Sequence, residues 1–375
     1  MSKNAGLQTV EISHIWELGG TICEIKAYGE GHINTTSCVT VKTADGETRR
    51  YILQAINTAV FTDPDGLMEN IWNVTEYLRH HAVLRGDDPD RATMQVIPTK
   101  NGAKYYRDAT GVCWRIYTFV ERTYCLQQVR TPQDFYESGF AFGMFQKQLA
   151  DYPAETLHET IPHFHDTPKR YETLEHAAKI DAFDRAKSVK EELEFLRARK
   201  DDCGYLKQLL EQGKLPLRVT HNDTKLNNIL FDETTGKGQC IIDLDTVMPG
   251  LAAHDFGDSI RFGANHCAED EPDLSKVNFS LDLYESYAKG YLEAAGDALT
   301  KLERETLPWG AKIMTLESAI RFLTDYLEGD HYFHTSREGQ NLDRARTQMK
   351  LVQGMEEKWR EMRISEERYL NMSNE

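Results

Sequence analysis

The run Val219-Thr220-His221-Asn222-Asp223-Thr224-Lys225-Leu226-Asn227-Asn228 sets four polar residues at fixed spacing, His-x-Asp-x-Lys-x-x-Asn. Cys240-Ile241-Ile242-Asp243-Leu244-Asp245 follows, an apolar run ending in carboxylates. These types and spacings suit transfer of a phosphoryl group to a hydroxyl. An Asp can orient and deprotonate the acceptor, an Asn and a second Asp can hold magnesium, and a Lys can face the moving group. The roles fall on Asp223 as base, Lys225 towards the phosphoryl group, and Asn228 and Asp243 as ligands of Mg2+. Singly, Asp223 and Asn228 read equally well as turn caps and Asp243 as a strand end. Jointly, with Lys225 in register, they favour chemistry.

Short strands must hold that loop. Leu217 to Thr220 reads as one, and Asn228 to Asp232 with Gln239 to Asp243 as a hairpin closed by Thr235-Gly236-Lys237-Gly238. A loop gripped this way keeps its carboxylates in place, and phosphoryl transfer is catalysed mostly by positioning and electrostatics. Asp255-Phe256-Gly257 spells the magnesium motif of protein kinases, but it lies beyond the hairpin and beyond Pro249-Gly250. Asp243 therefore takes the metal, Asp255 reads as a buried acid bracing the loop, and Asp245 could support the metal site.

The N-terminal third reads as a small, mainly antiparallel sheet with one helix. Thr21 to Tyr28 alternates polar and apolar residues, Thr35 to Lys42 is β-rich, and Asp45-Gly46 turns the chain into a third strand, Arg49 to Ala55. Gly29-x-Gly31 thus lies between two strands, unlike the glycines of a dinucleotide fingerprint or a P-loop, which open a helix. It suits a flap laid over nucleotide phosphates, with Gly29, Gly31 and Thr36 as contacts. Leu67, Ile71, Val74 and Leu78 mark a helix face, with Glu69 on the opposite side. Strands are expected from Ala92 to Thr99, Ala103 to Arg107 and Val112 to Val120. Val120 and Glu121 fall where a hinge would offer backbone groups to adenine. The third strand carries Gln54 where a kinase places a lysine for the α- and β-phosphates, and Lys42 or Arg50 are candidate substitutes.

Downstream, Thr131-Pro132-Gln133-Asp134 is a helix start, and residues about 170 to 213 read as charged and helical. His163 and His165 are two apart, but no third ligand is placed for zinc. Ile313, Leu316, Ile320, Leu323 and Leu327 form an apolar helix face, which leaves Glu317, Arg321 and Asp325 as an exposed ladder. A long amphipathic helix through Leu342 to Met362 ends the chain.

Composition narrows the partners. With 44 Lys+Arg against 60 Asp+Glu, a formal net charge of −16, nucleic acid and anionic membranes are poor partners. No apolar run is long enough to span a bilayer, and seven scattered cysteines without a C-x-x-C pair read as reduced thiols, so the expected location is cytoplasmic. The expected assembly is a monomer or weak homodimer.

The central loop resembles that of the aminoglycoside phosphotransferase and choline kinase superfamily. Longer strings (Tyr28–Thr36, His163–Pro168, Arg218–Leu230, Asp243–Gly250, Asp255–Gly263, Arg321–Tyr332) are similar to those of the N-acetylhexosamine 1-kinases within it. The resemblance implies an α+β, protein-kinase-like bilobal fold, with a small antiparallel-sheet N-lobe over residues 1–120 and a larger, mainly helical C-lobe over 121–375. It implies ATP and Mg2+ as cofactors and phosphorylation of the anomeric (C1) hydroxyl of N-acetylglucosamine or N-acetylgalactosamine. Asp223 would be the base, and His32, Phe262, Arg321 and Tyr332 would line the sugar pocket, which moves Arg321 from ladder to ligand. The competing readings are another hydroxyl acceptor (an aminoglycoside, choline or a different hexose) and an inactive kinase fold that binds nucleotide.

Overall fold

Antiparallel pairing begins where the alternating sequence requires it. In the computed structural model, which describes residues 9–29 and 33–372, β1 (Gly20–Ala27), β2 (Thr35–Thr43) and β3 (Thr48–Ile56) form a meander. The sheet runs β1-β2-β3-β6-β4, where β4 is Val96–Ile97 and β6 is Cys113–Thr118, and β5 (Tyr106–Arg107) also pairs with β6. α1 (Thr9–Ile15) packs its Ile12, together with Trp16, onto Val39, Val41, Leu53 and Ile116 of the sheet. α2 (Pro64–Arg85) starts where Asp63 accepts the Gly66 N–H at 3.0 Å, and it ends at Gly86 with φ 80°. The chain folds into two units. The first is the chain up to Thr123 with Thr156–Ile161 and Ile242–Met248; the second is Tyr124–Glu155, Pro162–Ile241 and the chain from Pro249 on.

Three expected strands are shorter than the sequence suggests. Pro89-Asp90-Arg91-Ala92 forms a helical turn, α3, capped by the Asp88 carboxylate, so the strand expected from Ala92 shrinks to β4. Only Tyr106 and Arg107 of the next run are paired, and the third is paired only over Cys113–Thr118.

After β7 (Thr123–Tyr124), the second unit is mainly helical. α4 (Pro132–Gln148) opens on a capping box between Thr131 and Asp134, as the sequence indicates. α5 (Thr167–Ile180), α6 (Lys190–Arg197), α7 (Lys200–Cys203) and α8 (Tyr205–Glu211) fill the charged helical stretch. β8 (Arg218–Thr220) leads into the central loop, and β9 (Ile229–Asp232) and β10 (Gly238–Ile241) close the hairpin, with β11 (Met248–Gly250) beyond. α9 (Ala252–Gly263), α10 (Leu281–Ala295), α11 (Lys301–Glu305) and α12 (Leu307–Leu327) follow. Leu316, Ile320 and Leu323 of α12 sit in one core with Tyr171 and Leu174 of α5 and Met349 and Val352 of α13 (Gln340–Glu357). The long terminal helix is in fact two, α13 and α14 (Trp359–Met372), interrupted at Lys358.

α9 and α12 cross at backbone distance. A Cβ on Gly257 would lie 2.2 Å from the Gly310 carbonyl oxygen, and one on Gly310 1.9 Å from that of Ala253. The glycine of Asp-Phe-Gly is therefore needed for helix packing.

Candidate active site

In the second unit, the central loop leaves β8 through Asn222, whose φ of 64° is left-handed. His221 is fully buried with its ring edge-on to Phe142 and Phe145, at centroid distances of 5.6 and 6.0 Å. Asp223 and Lys225 converge, Nζ standing 2.8 Å from the carboxylate, and Asn228 Nδ2 donates to Asp223 Oδ2 at 3.1 Å and to the Asp223 carbonyl at 2.7 Å. Burial alone would raise the Asp223 pKa; the Lys225 ammonium, His221 and the Asn228 bond together outweigh it and hold the carboxyl below its usual range. Asp223 is thus ionised at neutral pH, free of a proton and ready to accept one from a hydroxyl. Because Asn228 makes both bonds through Nδ2, its amide oxygen is the atom suited to a hard cation.

One face of α9 braces the loop. Asp255 accepts the His221 and Asn222 N–H groups at 2.8 and 2.7 Å, and Asp258 accepts the Thr224 N–H at 2.9 Å. The Ser259 hydroxyl donates to the Thr224 carbonyl at 2.8 Å, while Thr224 donates back to the Asp255 carbonyl at 2.6 Å. Burial pushes the Asp255 carboxyl up to about 6, against the pull of His221 and the two N–H bonds. The Asp-Phe-Gly stretch is the loop's scaffold, as its place beyond the hairpin suggests. Asp258 and Ser259 carry no motif that singles them out in the sequence, although their spacing from Asp255 puts all three on one helix face.

Arg321 and Tyr332 meet in the same unit, the guanidinium lying 5.8 Å over the Tyr332 ring and 5.3 Å over Phe333. Both line a cavity of about 120 Å³ with Arg170, Thr173, Thr324, Asp325, Glu328 and Phe333. Tyr332, 70% exposed, forms its rim. Phe262 lies half-buried on α9, one turn past Asp258. The exposed ladder is a misreading. Glu317 and Asp325 are 1% and 4% exposed, because α12 is enclosed by α5, α9 and α13 and has no solvent face there. Glu317 binds His165 and Thr167, and Asp325 takes the N–H groups of His331, Tyr332 and Phe333.

In the first unit, Gln54 has a buried cation beside it. Thr36, Gln54 and Arg115 stand in register on β2, β3 and β6. Gln54 Nε2 donates to Thr36 Oγ1 at 3.1 Å, and Gln54 Oε1 accepts from Arg115 Nε and Nη2 at 3.0 and 2.9 Å. Arg115, 1% exposed, also pairs with Asp245 at 2.7 Å, and Asn34 donates to that carboxylate at 2.6 Å. The cation beside strand three is therefore a buried arginine neutralised by Asp245. Lys42 is exposed on β2, and Arg50 is paired with Glu121 and stacked 3.8 Å over Phe119. Asp243, exposed with φ 60°, lies in the Ile242–Met248 segment of this unit. The Val120 and Glu121 carbonyls accept internal bonds from Thr123 at 2.9 Å and Arg91 at 2.6 Å. Gly29 has φ 77°; Gly31 and His32 lie outside the described residues.

The profile of the Phosphotransferase enzyme family matches residues 24–304. Among solved structures, an aminoglycoside phosphotransferase from Alicyclobacillus acidocaldarius aligns with a TM-score of 0.59 at 13% identity, covering 100% of this chain and 97% of that one. Spectinomycin phosphotransferase in complex with ADP and spectinomycin gives 0.58 at 12% identity, covering 96% and 99%. Choline kinase from Cryptosporidium parvum gives 0.52 at 15%, covering 98% and 96%. The likeness is one of fold: α+β and kinase-like.

Proposed function

Since the chain belongs to the Phosphotransferase enzyme family, we propose that it transfers the γ-phosphoryl group of ATP to the anomeric C1 hydroxyl of an N-acetylhexosamine, giving the sugar 1-phosphate and ADP. The observation that carries this is the Asp223–Lys225–Asn228 cluster, built as a base with its own cation and clamp. The ionised Asp223 accepts a hydrogen bond from the C1 hydroxyl and orients it for in-line attack. As the new oxygen–phosphorus bond forms and the bond to ADP breaks, the hydroxyl proton passes to Asp223. Lys225 faces the phosphoryl oxygens. Asn228 and Asp243 are the proposed ligands of magnesium, their oxygens being the hard donors that ion prefers. When bound, it would offset phosphate charge. Gly29, Gly31, Thr36, Val120 and Glu121 are the proposed nucleotide contacts, the first four within a proposed lobe of residues 1–120 and Glu121 directly after it.

On the acceptor side, His32, Phe262, Arg321 and Tyr332 are the proposed sugar residues. Neither Arg321 nor Arg170 has a carboxylate hydrogen-bond partner among the described residues, and the Asp325 oxygens in the same wall already take three backbone N–H groups and the Asn341 amide. Against these two guanidiniums the wall's other acid is Glu328, so positive charge is not outweighed there and a neutral, oxygen-rich acceptor suits it better than a cationic one such as choline or an aminoglycoside. The test is ADP release with Mg-ATP and N-acetylhexosamine. Asp223→Asn should lose at least about a hundredfold in turnover. A variant as active as the wild type would remove Asp223 as base.

A further inference from the structure

His163 and His165, left without a ligand role by the sequence, have separate fates. His163, with φ 60°, lies 3.5 Å from Asp166 near the surface, while His165 turns inward and is nearly buried. His165 Nδ1 lies 3.0 Å from Glu317 Oε1 on α12, and Nε2 lies 3.4 Å from the backbone carbonyl of Asn222, the residue before Asp223. The Thr167 hydroxyl donates to the second Glu317 oxygen at 2.6 Å.

A carboxylate and a carbonyl only accept hydrogen bonds, so the ring sits between two acceptors on separate elements. We propose that His165 is a positioning residue: seated on Glu317, it fixes the Asn222 carbonyl and so the entry of the loop that carries Asp223.

Independent features point the same way. Asn222 has a left-handed backbone, which asparagine tolerates better than most residues other than glycine. Here its N–H is held by Asp255 at 2.7 Å and its carbonyl by His165, from two different elements. The ring is also packed, its centroid 4.6 Å from that of Phe164 and 5.3 Å from that of His254 on α9. Helix α12 thereby carries Arg321 on the proposed acceptor wall and, one turn earlier, the carboxylate that seats His165 under the base.

The test has two arms. In 15N-labelled protein without nucleotide or acceptor, the backbone amide signals of residues 222–224 should move in His165→Asn while those of residues 229–231 stay in place. Unmoved signals for residues 222–224 overturn the proposal. In turnover, His165→Asn and the isosteric Glu317→Gln should each lower kcat about 10- to 100-fold, the scale of a small misplacement of reacting groups, with the KM for ATP within about threefold. Unchanged kcat in both folded variants overturns it as well. Only the kinetic arm rests on Asp223 as base, so a failed sugar assay leaves the amide spectrum decisive. If His165→Asn does not fold, both readouts are taken on Glu317→Gln, with the same outcomes expected.

Discussion

Asp325→Asn separates a loop anchor from a surface ladder. The Asp325 carboxylate accepts the His331 and Tyr332 N–H groups through Oδ1 at 2.9 and 2.8 Å, and the Phe333 N–H and Asn341 Nδ2 through Oδ2 at 2.9 and 2.8 Å. Asparagine has one acceptor oxygen. If that oxygen keeps His331 and Tyr332, the new amide nitrogen faces two donors at the other position. Two hydrogen bonds to a charged group are lost, at about 1.5 kcal/mol or more each, so holding the loop in place costs about 3 kcal/mol. An exposed i, i+4 pair would instead change stability by a few tenths of a kcal/mol. The chain can also escape most of that cost by releasing residues 331–333, which hold Tyr332 against Arg321. Either route has a readout. We expect a melting midpoint lower by several degrees, or an acceptor KM raised about tenfold (equivalent to about 1.4 kcal/mol) with the KM for ATP unchanged. Thermal unfolding and initial-rate kinetics on the same preparation measure both. A variant that matches the wild type in midpoint and in acceptor KM would refute the anchor.

Other perturbations probe the remaining parts. Arg321→Ala should raise the acceptor KM more than the ATP KM in steady-state kinetics, and equal changes would remove Arg321 from the acceptor site. Asp255→Asn should lower kcat while leaving the half-saturating magnesium concentration within about threefold, because its oxygens hold backbone N–H groups; a rise of tenfold or more would make it a metal ligand. His254, with its pKa depressed to about 3, binds its proton later on acidification than the unfolded chain does. Its contribution is therefore full above the unfolded value near 6.5 and is lost as pH falls towards 3. Between pH 7 and 5 the wild type should lose about 2 kcal/mol more stability than His254→Asn in denaturant titrations, and identical losses would refute that. Gly257→Ala, whose methyl would meet the Gly310 carbonyl, should lower the melting midpoint by several degrees.

Local chemistry makes much of this legible. The central loop, the hairpin after it, the Asp45-Gly46 turn and the Thr131 helix start are each written in adjacent residues. What stays hidden depends on partners far along the chain. Gln54 looks like a deficit until β3 and β6 pair and set Arg115 beside it, in a register no local pattern encodes. Glu317 and Asp325 read wrongly as a ladder because an apolar stripe implies a wet opposite face, whereas α12 is covered on several sides and its acids serve loops as anchors. His165 has no signal of its own; its role depends on Glu317 and Asn222, both distant in sequence.

The most direct test of the central claim is product identification. The protein is incubated with Mg-ATP and, separately, N-acetylglucosamine, N-acetylgalactosamine, other hexoses, an aminoglycoside and choline, with ADP measured and phosphate position assigned by 31P and 1H NMR. The expected result is ADP release with the N-acetylhexosamines and phosphorus coupled to the anomeric proton. Phosphate on any other oxygen, preference for a cationic acceptor, or nucleotide binding without acceptor-dependent ADP release would contradict it.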